Sequence, residues 1–238
     1  MKNIIILLIS LPTLFACNSS VSEDIIKENV MEEIISIEEN EPSIRVVDTD
    51  FSKGRLGLEH EINLIDLEKF HGHLCDGLVV GFLGIKEGLK VLYPDGVIDR
   101  TNTRVVSKSS PCLTDVAVYI SGGRYQFNSF YVDNSIENGF YIIQRIDNGK
   151  SVKVSLNKGV KPSGINELGA LAVKGELESC DLDKLKEMED SFSDKLLNED
   201  PSNNFTVKEI EKFEWNPVLK SDYTKTDILN KNKSKCNQ

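Results

Sequence analysis

The chain has 238 residues, 39% of them hydrophobic, with 38 acidic against 28 basic side chains and a formal charge of −10 at pH 7. That balance excludes nucleic acid as an expected partner, and no block of Lys and Arg forms a polybasic patch for a membrane surface. The length and apolar content suit one self-folding domain with tails.

Met1-Lys2-Asn3 leads into the apolar run Ile4-Ile5-Ile6-Leu7-Leu8-Ile9, broken at Ser10 and Pro12, and Leu14-Phe15-Ala16-Cys17 follows. A membrane-crossing helix takes roughly twenty apolar residues, so this shorter run reads as an export signal instead. The order Leu-x-Ala-Cys resembles the lipobox of bacterial lipoproteins. The expectation is a signal peptide over 1–16, removed after Ala16, and lipidation of Cys17, with palmitate as the acyl group. The lipid bilayer is then a partner through Cys17, and the domain lies outside the cytoplasm in the cell envelope.

Residues 17–42 form an acidic linker in which Glu23, Asp24, Glu28, Glu32, Glu33, Glu38, Glu39 and Glu41 face only Lys27. Such a segment is a solvated spacer, although Ile25, Ile26, Val30, Ile34 and Ile35 recur at the spacing of a short amphipathic helix. The folded domain is expected over 43–217, and 218–238 reads as a loose polar tail.

Within the domain, Ile62 to Phe70 reads as a short helix leading to His71-Gly72-His73-Leu74-Cys75. A longer helix follows to about Leu92, stopped by Pro94-Asp95-Gly96. Gly77, Gly81, Gly84 and Gly88 share one face of that helix. Glycine costs up to about 1 kcal/mol per helical site, so the face implies close packing, in the core or in a homodimer. Thr103 to Ser107 predicts a strand. Ser110-Pro111 predicts an N-cap and first turn of a helix that Gly122-Gly123 ends near Ser121. Phe127 to Val132 and Phe140 to Ile146 read as strands, and Asn148-Gly149 turns the latter into Ser151 to Leu156. Helices over Gly164 to Ala172 and Asp183 to Asn198 precede an extended segment from Phe205 to Trp215. This mixture predicts an α+β fold, with a mixed or antiparallel sheet packed with helices in a single compact domain.

Besides Cys17 the chain holds Cys75, Cys112, Cys180 and Cys236, an even number that permits two disulfides in an oxidising compartment. Their spacing contains no C-x-x-C pair, so a metal site must be assembled from distant segments. His71, His73 and Cys75 are the densest group of ligand-type side chains, and imidazole with thiolate suits zinc or another transition metal. An extended segment would put all three on one face, whereas a helix would align His71 with Cys75 and turn His73 away. Cys112, placed in the first turn of a helix, gains thiolate character from the N–H groups and dipole there. Asp115, one turn on, can accept a hydrogen bond from a ligand histidine, act as a ligand, or complement the helix terminus.

These residues resemble the formylmethanofuran dehydrogenase E-subunit family, whose hallmark is His-Gly-His-x-Cys-Pro-Gly before a glycine-rich helix. Here the stretch reads Phe70-His71-Gly72-His73-Leu74-Cys75-Asp76-Gly77. A second motif, a cysteine three residues before Asp-Ala, is similar to Cys112-Leu113-Thr114-Asp115-Val116-Ala117, and Leu196 to Pro201 with Phe205-Thr206-Val207 is similar to the end of the domain. The resemblance spans roughly 62–215. It implies an α+β core whose cleft binds a metal through His73, Cys75 and Cys112, with His71 and Asp115 as further candidates. Asp76 departs from the family's proline, and Gly122-Gly123-Arg124-Tyr125 departs from a Gly-Cys-Thr-x-Gly-Lys-like turn. Arg124 and Tyr125 are candidates for lining the same cleft, where they could meet an anionic or aromatic ligand. A C-terminal zinc finger, present in some members, is not expected from Cys180 and Cys236.

The leading expectation is a membrane-tethered metal-binding accessory or carrier domain meeting a small ligand or protein. A disulfide-stabilised interaction module, with Cys75 bonded to Cys112, is the rival. A metal-dependent hydrolase or thiol oxidoreductase is the third reading. The reaction in the family's name is not expected, because an exported lipoprotein would not meet the partner proteins and redox cofactors it requires.

Overall fold

The structure is a computed structural model and describes residues 42–219, 228–234 and 236. The expected signal peptide, Cys17 and nearly all of the acidic linker lie outside the described residues. Folding is organised around one helix, α2 (Asp76–Leu92), whose residues Leu78, Val79, Phe82, Leu83, Ile85, Leu89 and Leu92 are all buried. A helix apolar on most of its circumference belongs at the centre of a core. Its glycine face allows unusually close approach. A Cβ at Gly84 would stand 2.5 Å from the Phe140 ring, at Gly88 2.6 Å from Ile143, at Gly81 2.9 Å from the Tyr141 hydroxyl, and at Gly77 2.9 Å from Cys112 Sγ. The face predicted from glycine spacing is therefore a core contact.

What presses on that face is a five-stranded sheet of order β5-β4-β6-β7-β8, built from β4 (Thr103–Ser107), β5 (Phe130–Val132), β6 (Tyr141–Arg145), β7 (Ser151–Leu156) and β8 (Phe205–Ile210). The β4/β5 pair is parallel and the others antiparallel, with Val105 opposite Ile143 and Ile143 opposite Val152. All three side chains are fully buried. Gly149, at a φ of 72° in the Asn148-Gly149 turn, supplies the left-handed conformation that joins β6 to β7.

A second sheet, of order β2-β1-β3, combines β1 (Ser43–Thr49), β2 (Leu56–Asn63) and β3 (Val97–Asp99). Asn63 ends β2 and caps α1 (Leu64–His71) through a capping box with Asp66, so the helix starts two residues later than its apolar pattern suggests. Helix α3 (Pro111–Ser121) runs between Ser110, which accepts from Leu113 N–H, and Gly122 in the left-handed conformation, the bounds the sequence predicts. The predicted strand over Phe127 to Val132 is shorter, because Tyr125–Phe127 closes into a 3-10 turn at Asn128 before β5 begins. Helices α4 (Ser163–Lys174) and α5 (Ser179–Asn198) pair with each other, α5 also packs on α2, and the short α6 (Pro201–Asn204) leads into β8. The extended run ends as a strand at Ile210, short of Trp215.

These elements form a single compact α+β domain. Residues 228–234, read from sequence as tail, return to the first hairpin: Leu56 N–H donates to Lys231 O at 3.0 Å and Asn230 Nδ2 to Lys53 O at 2.8 Å. β2 is an edge strand, and its outward N–H groups attract such pairing. No helix among the described residues is long and apolar enough to cross a membrane.

Candidate metal centre

Three helix ends converge beside Gly77. His71 is the last residue of α1, and Gly72 follows it as a left-handed cap with a φ of 103°, reversing the chain. Cys75 is the N-cap of α2, and Cys112 lies in the first turn of α3. Both cysteines thus stand at helix N-termini, where free N–H groups and the positive dipole end favour a thiolate. The ligand atoms of His71, Cys75 and Cys112 all lie within 4.8 Å of one another. Cys75 Sγ and Cys112 Sγ are 3.3 Å apart, and His71 Nε2 is 3.7 Å from Cys112 Sγ.

The imidazole is fixed from behind. His71 is well buried, and its Nδ1 is 2.7 Å from Asp115 Oδ2. With the Nδ1 proton donated to that carboxylate, Nε2 presents its lone pair toward the sulfurs, the arrangement by which carboxylates orient ligand histidines. Asp115 reaches His71 because it sits one turn after Cys112 on the same face of α3. The α3 end is itself anchored, since the Tyr141 hydroxyl donates to Leu113 O at 2.7 Å. Burial holds that hydroxyl in its protonated, donating form, well above the ordinary tyrosine range.

The two thiols differ. Cys112 is lowered to about 7, first by the hydrogen bond from Cys75 and with help from Ser110, against burial and the Asp76 charge. Cys75, the donor of that hydrogen bond and also partly buried, is raised above the ordinary thiol value. Next to them Asp76 is buried, with Oδ2 2.6 Å from Lys161 Nζ, an ion-pair distance without hydrogen-bond geometry. Glu189 is raised, mainly by burial and then by the Asp76 charge, which Lys161 and His73 partly offset.

The structure brings His71, Cys75 and Cys112 together with Asp115 behind them, and leaves His73 outside that cluster. The His73 ring packs on His71 with centroids 4.8 Å apart. His71 takes the inner position because α1 continues to it and Gly72 then turns the chain. Arg124 and Tyr125 lie beyond the opposite end of α3, which separates them from the thiols by the helix's length, about 16 Å at 1.5 Å per residue. They do not share a cleft with the cysteines. Lys161, Glu189 and Tyr141 were not legible as neighbours of the motif, because each comes from an element remote in sequence and carries no local signature.

The donor set fits a metal ion. Two thiolates and an imidazole suit zinc and comparable transition metals. Metal–sulfur bonds of about 2.3 Å in a tetrahedron put sulfurs about 3.8 Å apart, a small opening of the present pair. Fold and site thus define an α+β domain with a His/Cys group able to hold a metal ion. A family model described as FmdE, Molybdenum formylmethanofuran dehydrogenase operon, matches residues 70–206, and the chain belongs to this family. The match begins one residue before His71 and takes in every residue of the cluster. No curated protein matches the chain.

Proposed function

We propose that the chain is an exported, membrane-tethered accessory or carrier domain that binds one zinc-like ion through His71 Nε2, Cys75 Sγ and Cys112 Sγ. The observation that carries this reading is the convergence of these three ligand atoms within 4.8 Å, with the imidazole oriented by Asp115. Three protein ligands leave one position of a tetrahedral ion for water or a small ligand, and a metal bound there supplies Lewis-acid chemistry. Behind the histidine, Asp115 holds its tautomer, and Asp76, paired with Lys161, sets a charge near Cys112.

The 3.3 Å separation of the sulfurs also favours a second reading, in which an external thiol oxidant takes two electrons and two protons from the pair, the sulfurs close to a bond of about 2.05 Å, and the domain works as an interaction module. Metal analysis and thiol counting on one sample of the chain, purified from membranes under anaerobic conditions, separate the two. The expected result is close to one metal per chain with both cysteines reduced. His71→Ala should lose the metal while circular dichroism stays unchanged, and His73→Ala should retain it. A metal-free chain with a mapped Cys75–Cys112 bond would establish the second reading instead.

A further inference from the structure

We propose that a second site, at the end of α3 remote from the thiols, binds a small organic oxyanion carrying a carboxylate or phosphate beside an apolar group. A cavity of about 240 Å³ opens there, lined among others by Phe51, Arg100, Gly122, Arg124, Phe127 and Ile228. It takes in Arg124, which stands beyond Gly122 at the left-handed turn that ends the helix.

Among the described residues, two guanidinium groups line this cavity against one carboxylate. Arg100 donates Nη1–H to Asp48 Oδ2 at 3.2 Å and Nη2–H to Tyr119 O at 3.0 Å, while its Nε is buried without a hydrogen-bond partner among the described residues. Arg124 forms neither an ion pair nor a side-chain hydrogen bond among the described residues, and its guanidinium stands 5.8 Å from the centre of the Phe127 ring. Arginine does not shed its proton in proteins, so the second charge needs an anion or water to balance it. Burial disfavours the charged form of Arg100, and the charge of Arg124 adds to that.

A cation near a helix C-terminus also complements the dipole. Arg100 already does this through the Tyr119 carbonyl, which leaves Arg124 available to a ligand. Planar guanidinium forks match carboxylate and phosphate oxygens. The apolar half follows from the rest of the lining: Phe51 is 65% exposed at the rim, with Phe127 and Ile228 beside it. The volume falls below the roughly 300–1,000 Å³ of pockets for drug-sized ligands, which points to a molecule of about the size of phenyl phosphate.

Backbone amide NMR on the metal-loaded chain tests the site, with phenyl phosphate, inorganic phosphate and phenol as separate probes. Phenyl phosphate should shift the Gly122, Gly123 and Arg124 amides saturably, inorganic phosphate more weakly, and phenol not at all. Arg124→Gln, a change at an exposed position, should weaken phenyl phosphate about tenfold or more, the value of one charge-assisted contact. Its metal content and amide spectrum elsewhere should be unchanged. No saturable shift at these amides, or equal affinity in Arg124→Gln, would overturn the proposal and leave Arg124 as a counter-charge to the helix end.

Discussion

Cys112 is the group on which the chemistry of the thiol pair turns. Its ordinary value would be 9.0, and the hydrogen bond from Cys75 is the first cause of its fall to about 7. The proton the pair retains therefore resides on Cys75, which is raised. In the folded, metal-free chain Cys112 is a thiolate above about pH 7, and the stability its lowered value contributes builds up between about 7 and 9.0 and is lost as pH falls through about 7, while the raised Cys75 thiol makes stability fall again above its own ordinary value. Alkylation of the chelator-treated protein by iodoacetamide should accelerate at Cys112 through about pH 7 and then level off, with Cys75 slow throughout. Cys75→Ala should move that inflection upward toward 9.0. An inflection that stays in place would assign the shift to the helix terminus and Ser110. Much of this pair was readable in advance, because Ser110-Pro111 marks the start of α3 and so places Cys112 in its first turn. The rank of the two histidines was not readable on the same basis. Alternation along an extended His71 to Cys75 segment favours neither ring, whereas a helix ending at His71 before a left-handed Gly72 singles out His71, and that helix-end signal lay in the Phe70-His71-Gly72 order.

Two helices meet where the thiols meet, and glycine sets how closely they meet. A Cβ on residue 77 would stand 2.9 Å from Cys112 Sγ, and one on residue 88 would strike Ile143 and Val154 in the core. Both changes overpack, at a typical cost of about 1–3 kcal/mol, but only the first does so at the thiols. Gly77→Ala should therefore lose metal binding with a modest fall in melting temperature, whereas Gly88→Ala should lose more stability and keep its metal at temperatures where it remains folded. Equal metal content in Gly77→Ala and the parent chain would show that the close approach of α2 to α3 serves packing alone. Elements with strong local signals were legible. The glycine repeat of α2, the Ser110-Pro111 cap of α3 and the Asn148-Gly149 turn each specify a boundary through backbone chemistry. The β2-β1-β3 sheet was not. β2 is exposed along most of its length and so lacks a buried alternating face, β3 has three residues, and their order depends on pairing β1 with a strand some fifty residues away.

For the molecule as a whole, the net charge of −10 bears on how it would be held at a membrane. Anionic lipid surfaces attract polybasic segments and repel an acidic chain, so electrostatics cannot supply the attachment proposed above. A single acyl chain gives only marginal, reversible binding, while two or more anchor stably, so the proposed Cys17 tether would hold without any charge contribution if that residue carries at least two chains. Because that attachment would be hydrophobic, washing membranes with high salt should release none of the protein, and detergent phase separation should place it in the detergent phase. Cys17→Ser should move it to the aqueous phase. Metal content should not change, since His71, Cys75 and Cys112 belong to the folded unit from Pro42 onward. Release by salt alone would replace the lipid tether with a charge-mediated partner. A Cys17→Ser chain that stays with the detergent would show that another apolar segment holds it, and the uncleaved run from Ile4 to Ile9 would be the first to remove.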